Sequence, residues 1–322
     1  MRLKHALPLA AMALLILPTE AFSQSSQKTM TIIAPFPPGG SADGIARIVA
    51  TELAARLGRQ TIVDNRPGVG GTLGLTIAAK APPDGDTLTV GATGGLVINP
   101  HIPSSTQFDP LKELAPIAKL IDIPIVLVTN AKTGAKTVKE LIEKSNSTPG
   151  GVSFGTTGVN SSQHLAVELL KNVTGANLVH VPYRGSAPAV TAVLGDQIPM
   201  ASVDLTSAYE HTKAGTLTAL GVTSAHRAKI APEIPTVAEG GVPGYDGSAG
   251  YIGLFAPAGT PPDKVNQLSR DIAAIIAKPD VQERIKLLAV EPAYSDDVTF
   301  KAFLAAESAT WKDLLKSRPA EK

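Results

Sequence analysis

There is no cysteine in the 322-residue chain. That excludes disulfides, thiolate metal sites, a cysteine nucleophile and a lipid-modified cysteine. Aromatic residues make up only 4%, too few to furnish base-stacking platforms or aromatic cages for sugars. An excess of either charge is also missing. Lys plus Arg number 29 and Asp plus Glu 28; Arg2, Lys4 and Glu20 fall in an N-terminal leader, which leaves 27 of each sign. A neutral chain has no electrostatic footprint for nucleic acid or for an anionic membrane face. No apolar run after the leader approaches the roughly 20 residues that span a bilayer. A Gly-Lys-Ser/Thr phosphate loop and a Gly-x-Ser-x-Gly nucleophile elbow are absent as well.

What is present begins with that leader, residues 1–23. Arg2 and Lys4 make a positive start, residues 7–17 are apolar apart from Pro8, and Ala21 and Ser23 supply the small residues a signal peptidase reads. The expected product is an exported protein, cleaved near Ser23 and not inserted in the membrane. Its 43% hydrophobic content is enough for sizeable cores.

The rest alternates short apolar runs with amphipathic helices, as α/β layers do. Strands are expected at residues 29–35, 61–64 and 87–91, with helices at 41–57 and 72–81. A second series carries strands at 125–128, 152–154, 178–181, 198–203 and 217–222, with helices after Thr137, at 162–174 and at 187–194. After a Pro/Gly-rich stretch, a strand at 251–256 leads into three helices near 262–277, 281–288 and 296–316, the second opened by Asp280 and Glu283 as a capping box. Three terminal helices without strands imply a tail that packs back on the first series. The expected architecture is therefore two α/β lobes joined by a two-strand hinge, with crossings near 119–126 and 251–257. A cleft between such lobes is the natural ligand site.

Two loops stand out. Pro35-Phe36-Pro37-Pro38-Gly39-Gly40-Ser41-Ala42-Asp43 joins the first strand to the first helix. Prolines stiffen it, glycines admit a ligand close to backbone N–H groups, and the helix start favours an anion. Read otherwise, it is a turn capped by Ser41 or Asp43. Gly155-Thr156-Thr157-Gly158-Val159-Asn160-Ser161-Ser162 repeats the design, with Thr156, Thr157 and Ser161 as donors. Tyr183 and Arg184 follow a strand at the same edge, and Arg184 is either a carboxylate partner or a solvated surface residue. Asp204 ends another strand, as a ligand acceptor or a helix cap. His164 and Glu168, four apart on a helix, lack a third metal ligand, so His164 reads as a loop-orienting residue. The glycine-rich 68–74 segment follows the second strand and has no acidic ribose partner in place, which weakens a nucleotide reading.

Taken in order, these pieces resemble the extracytoplasmic solute receptors of tripartite tricarboxylate transporters, the Bug-type receptors. The likeness rests on Pro35 to Gly40 with Asp43, on Asp64-Asn65-Arg66-Pro67-Gly68, and on Pro83-Asp84-Gly85. It continues through His164-Leu165-x-x-Glu168, Val179-His180-Val181-Pro182-Tyr183-Arg184-Gly185 and Leu254-Phe255-Ala256-Pro257-Ala258-Gly259. The resemblance implies a type II periplasmic-binding-protein fold. Residues 24–123 with 255–322 would form lobe 1 and residues 124–254 lobe 2, with the C-terminal helices on lobe 1. It also implies a receptor that binds a small organic carboxylate and delivers it to the membrane subunits of a transporter, as a monomer, without cofactor, catalysis or nucleic acid. Carried over residue by residue, the pocket would be lined by Phe36, Pro38, Gly39, Gly40, Ser41, Thr93, Gly94, Thr156, Thr157, Ser161, Tyr183 and Asp204. The small Ala201 and Ser202 would enlarge it. A sensor for a membrane kinase and a secreted enzyme using Asp204 or His164 as general base are the competing readings.

Overall fold

A computed structural model describes residues 28–102, 108–245, 247 and 249–316; the expected leader lies outside the described residues. The chain opens with β1 (Met30–Ala34), α1 (Ser41–Leu57), β2 (Thr61–Asn65), α2 (Thr72–Ala79) and β3 (Thr87–Ala92). A single π turn (Gly94–Ile98) and α3 (Pro110–Glu113) lead to β4 (Leu114–Ile123). Next come β5 (Ile125–Thr129), α4 (Val138–Ser147), β6 (Val152–Thr156), α5 (Ser162–Thr174) and β7 (Leu178–Pro182). They are followed by α6 (Ser186–Leu194), β8 (Met200–Asp204), α7 (Leu205–Lys213) and β9 (Thr218–Val222). The chain closes with β10 (Gly250–Pro257), α8 (Pro262–Ile276), α9 (Pro279–Lys286), β11 (Glu291–Asp296) and α10 (Asp297–Lys316).

α1 shows how directly the pattern dictates the element. Ile45, Val49 and Leu53 are fully buried on one face, each worth about 1.5–3 kcal/mol when removed from water. Gly58 then stops the helix in the left-handed conformation at φ 64°, where a Cβ would be strained. Thr137 caps α4 as expected: its hydroxyl accepts the Glu140 N–H at 3.2 Å, and the Glu140 carboxylate accepts the Lys136 N–H at 2.7 Å.

The strands form two mixed sheets. One has the order β11-β4-β10-β3-β1-β2 and the other β7-β6-β8-β5-β9. Strands β1, β2 and β3 run parallel, while β10 and β4 run antiparallel through the middle of the first sheet. A core of α1, α8 and α9 residues covers one face of that sheet, including Ile45, Leu268 and Ile285. The other face carries Leu96, Tyr251, Phe255, Phe300 and Trp311. The second sheet is likewise covered on both faces, by Leu141 and Leu170 on one side and Val190 and Ala208 on the other.

Several expectations are corrected. The tail contains a strand: β11 pairs antiparallel with β4. Its sequence is polar and carries Pro292, which suits an edge strand with one ladder partner and hides it from an apolar-run search. Strand β4 was not expected either, because Pro116 interrupts it. Pro116 lies where the β10 register shifts and outside the residues that β11 pairs with, so the missing N–H is tolerated there. Helix α9 starts at Pro279 with no side-chain cap, so the Asp280–Glu283 box does not form; proline at the first helical position sets the start instead. Finally, β10 pairs with β4 from Gly250 onward. Residues 250–254, assigned above to lobe 2, thus belong to the first sheet, where they are buried between β3 and β4. The chain passes between sheets at Pro124 and again before Gly250. Among the described residues no helix is long and apolar enough to cross a membrane.

Candidate functional site

The loop after β1 is exposed from Pro37 to Gly40. Gly39 has φ +91°, and a Cβ built on either Gly39 or Gly40 meets nothing within 4 Å. The N-cap of α1 is Gly40, without a side-chain cap. Neither Ser41 nor Asp43 caps the helix. The buried Asp43 carboxylate instead accepts the Gly39 N–H at 3.1 Å, Arg47 Nε at 3.0 Å and Asn65 Nδ2 at 2.9 Å. Burial pushes that carboxyl up, but the hydrogen bonds from Arg47, Asn65 and Gly39 outweigh it and hold it below its ordinary value. Asn65 Nδ2 also donates to the Phe36 carbonyl at 3.1 Å. The loop is therefore braced from behind, and the N–H groups of the first turn of α1 keep no intrahelical partner.

The glycines of 68–74 have a packing role. A Cβ on Gly74 would stand 2.6 Å from Pro35 Cβ, and one on Gly71 3.1 Å from the Phe36 ring. They let the second loop seat the first.

Across the cleft, the 155–162 loop is bonded largely to itself. The buried Thr156 hydroxyl lies 2.6 Å from His180 Nε2 and accepts the Gly158 N–H at 3.2 Å. Ser161 caps α5, accepting the His164 N–H at 3.2 Å and donating to the Gly158 carbonyl at 2.9 Å. Asn160, at φ 59°, donates its N–H to His164 Nδ1 at 3.1 Å. The His164 ring stacks on His180 with centroids 3.8 Å apart, and His180 stacks on Phe154 at 5.1 Å. His164 thus orients the loop and is itself buried, at 1% exposure. No group of His, Cys, Asp or Glu suited to a metal ion occurs among the described residues.

Thr157 donates to Gln163 Oε1 at 2.8 Å, and Gln163 Nε2 donates to Asp204 Oδ1. Asp204 occupies the N-cap position of α7 without capping it. It points to α5 because Met200, Ser202 and Asp204 share one face of β8. Its N–H donates to Ser186 Oγ at 3.1 Å. Burial raises the Asp204 carboxyl above its ordinary value, against the hydrogen bonds from Gln163 and Ser186. Tyr183 is half-buried against the second core and hydrogen-bonds through its N–H to the Thr156 carbonyl at 3.0 Å. Ala201 and Ser202 are fully buried.

The lobes meet at several points. A Cβ on Gly94 would lie 3.6 Å from the Asn160 carbonyl oxygen. Leu165 of α5 is buried in the cluster of Leu75, Leu96 and Tyr251 on the first sheet. Thr206 on α7 donates to the Ala289 carbonyl at 3.4 Å, and the Lys229 N–H donates to Glu291. Thr93, adjoining Gly94, is buried, and its hydroxyl accepts the Tyr251 N–H at 3.2 Å. Gln163 and Thr206 were not singled out by sequence, and His180 and Ser186 entered only as parts of longer motifs, with no role given. Only Gln163 had a signal, its place in the first turn of α5 beside the loop.

Against known proteins, the pattern of the tripartite tricarboxylate transporter family receptors matches residues 45–319. The chain belongs to that family of solute-binding receptors. It is 33% identical over 299 residues to protein BugT of Bordetella pertussis, covering 91% of this chain and 90% of that one. A Rhodopseudomonas palustris protein solved with adipate superposes with a TM-score of 0.83 at 29% identity, covering 90% of this chain and 97% of that one. MatC of the same organism, with bound malate, gives 0.78 at 28% identity, covering 89% and 98%. The architecture is that of two-lobed periplasmic binding proteins, as the resemblance implied.

Proposed function

We propose that this receptor is exported to the periplasm, closes its cleft on a small organic carboxylate and hands that ligand to the membrane subunits of a tripartite tricarboxylate-type transporter. The observation that carries the reading is the start of α1. An exposed Pro-Pro-Gly-Gly loop, braced by Asp43 and Asn65, leads into a helix start without a side-chain cap, with open space where Cβ atoms at Gly39 and Gly40 would stand, and a helix start favours an anion. Relatives solved with adipate and with malate support the ligand class. On this reading Phe36, Pro38, Gly39, Gly40 and Ser41 form the carboxylate end, Thr93 and Gly94 the wall beside it, and Tyr183 and Asp204 the opposite end. The hinge lies at Pro124 and just before Gly250.

The test is a thermal-shift screen of the periplasmic protein against mono-, di- and tricarboxylates, amino acids and aromatic acids. A ligand at about 100 times its dissociation constant stabilises by about 2.7 kcal/mol. A stabilising carboxylate recovered unaltered supports the receptor; a ligand consumed during incubation supports an enzyme.

A further inference from the structure

The hydrogen bonds around Gln163 fix the chemistry of one corner of the cleft. An ionised carboxylate only accepts, so Gln163 must present its Nε2 to Asp204. Its Oε1 is thereby turned to the Thr157 hydroxyl at 2.8 Å and the Ser162 hydroxyl at 3.3 Å, both of which must donate. Thr157 then has only lone pairs left for a ligand. Asp204 Oδ2 is an acceptor too. The two lobes therefore differ: α1 offers N–H donors without a side-chain cap, while the Asp204 corner offers acceptors.

The ionisable groups on the elements packed around Asp204 are engaged elsewhere or exposed. On α5, His164 takes the Asn160 N–H, and Glu168 pairs with Lys171 at 2.8 Å. His180 on β7 stacks on His164. On α7, Glu210 pairs with Lys213 at 3.0 Å, and His211 lies 3.5 Å from the Thr216 hydroxyl. Across the cleft, Glu291 takes the Lys229 N–H. Arg184 is exposed, with no hydrogen bond or ion pair among the described residues. The hydrogen bonds that favour the Asp204 anion come from the neutral Gln163 and Ser186.

We infer that the Asp204 corner receives the ligand through a hydrogen-bond donor, so that a carboxylate bearing a hydroxyl or ammonium group enters as it stands and a dicarboxylate enters with one proton on its far carboxyl. The inference rests on the carboxylate-receptor reading. Two ionised carboxylates in contact repel, whereas an O–H donated to a carboxylate makes a short, charge-assisted bond. The proton comes from solvent and sits between ligand and Asp204. Burial, which already raises the Asp204 carboxyl, favours the singly ionised pair.

The test is calorimetric titration of the periplasmic protein with two matched series: butyrate, γ-hydroxybutyrate and succinate; hexanoate, ω-hydroxyhexanoate and adipate. Buffers of different ionisation enthalpy count the protons taken up. The hydroxy acid is expected to bind at least about tenfold tighter than the plain acid, one charge-assisted hydrogen bond being worth about 1.5–3 kcal/mol. Diacid binding should take up about one proton and weaken about tenfold per pH unit between about pH 7 and 8.5. Asp204→Asn should abolish the uptake and flatten the pH profile, since its amide can donate to an ionised carboxylate. Diacid binding to the unaltered protein with no proton uptake overturns the inference and leaves the receptor intact. Failure of every carboxylate to bind at any pH overturns the receptor reading and the inference with it.

Discussion

Gly94 and the Asn160 carbonyl face each other across the cleft with room for one methyl group: a Cβ at 94 would stand 3.6 Å from that oxygen, an ordinary van der Waals contact. Gly94→Ala is therefore expected to bind ligand normally. Gly94→Leu should wedge the lobes, lowering carboxylate affinity at least about tenfold while moving fold stability by no more than about 1 kcal/mol. Calorimetry, with the radius of gyration from X-ray scattering, checks both. Unchanged affinity in the leucine variant would mean that the contact is not part of closure.

The hydroxyl of Thr156 serves the fold. It bridges the Gly158 backbone and His180, so Thr156→Val leaves buried polar groups unsatisfied. The expected cost is about 1–3 kcal/mol in urea denaturation. Thr156→Ser, which keeps the hydroxyl, should recover most of it. A valine variant as stable as the parent, or one no less stable than the serine variant, would show that the hydroxyl does not hold the loop.

Glu52 ties α1 to the tail through Lys278 at 2.7 Å and Arg284 at 2.8 Å. The Lys278 hydrogen bond, opposed by burial and aided by Arg284, holds its carboxyl below the ordinary 4.5. The unfolded chain then binds the proton more readily, so this stabilisation is present above about pH 4.5 and is lost as pH falls through the folded value. Glu52→Gln should be clearly less stable than the parent at pH 7, and the gap should narrow toward pH 3. A gap that stays constant from neutral to acid pH would rule the pair out.

Ala289 sits at φ 50° in the turn before β11, a conformation costly for a residue with a Cβ. Ala-to-Gly changes usually destabilise. Here Ala289→Gly should raise stability by up to about 1 kcal/mol, seen as a higher melting temperature. A lower one would show that the turn is not strained.

The helices and buried strands were legible because burial imposes a period: Ile45, Ile48, Val49 and Leu53 are all buried, and only a helix puts both i+3 and i+4 on one face. Strands β4 and β11 were not, since Pro116 and Pro292 break the apolar signal where sheet geometry tolerates them. Within the candidate site, the location of the loops after β1 and β6 was readable from glycines at helix starts. Hydroxyl partners were not. Thr157 reads as a ligand donor until Gln163, six residues on, is seen to accept its hydroxyl hydrogen bond. Of the two readings of Asp204 the helix cap falls away, since it sits at the helix start without capping it and accepts from Gln163 instead.

The two passages between sheets are neighbours in one ladder, for Ile123 pairs with Gly250 just where both strands leave the first sheet. Strands joined this way bend as a single ribbon. A relative swing of the lobes about a line across that ribbon keeps the β4–β10 hydrogen bonds intact, whereas a twist about its length shears them. The motion open to this protein is thus that of a book on its spine. A partner touching both covers would read occupancy as a change in their separation, with no new chemistry at either surface.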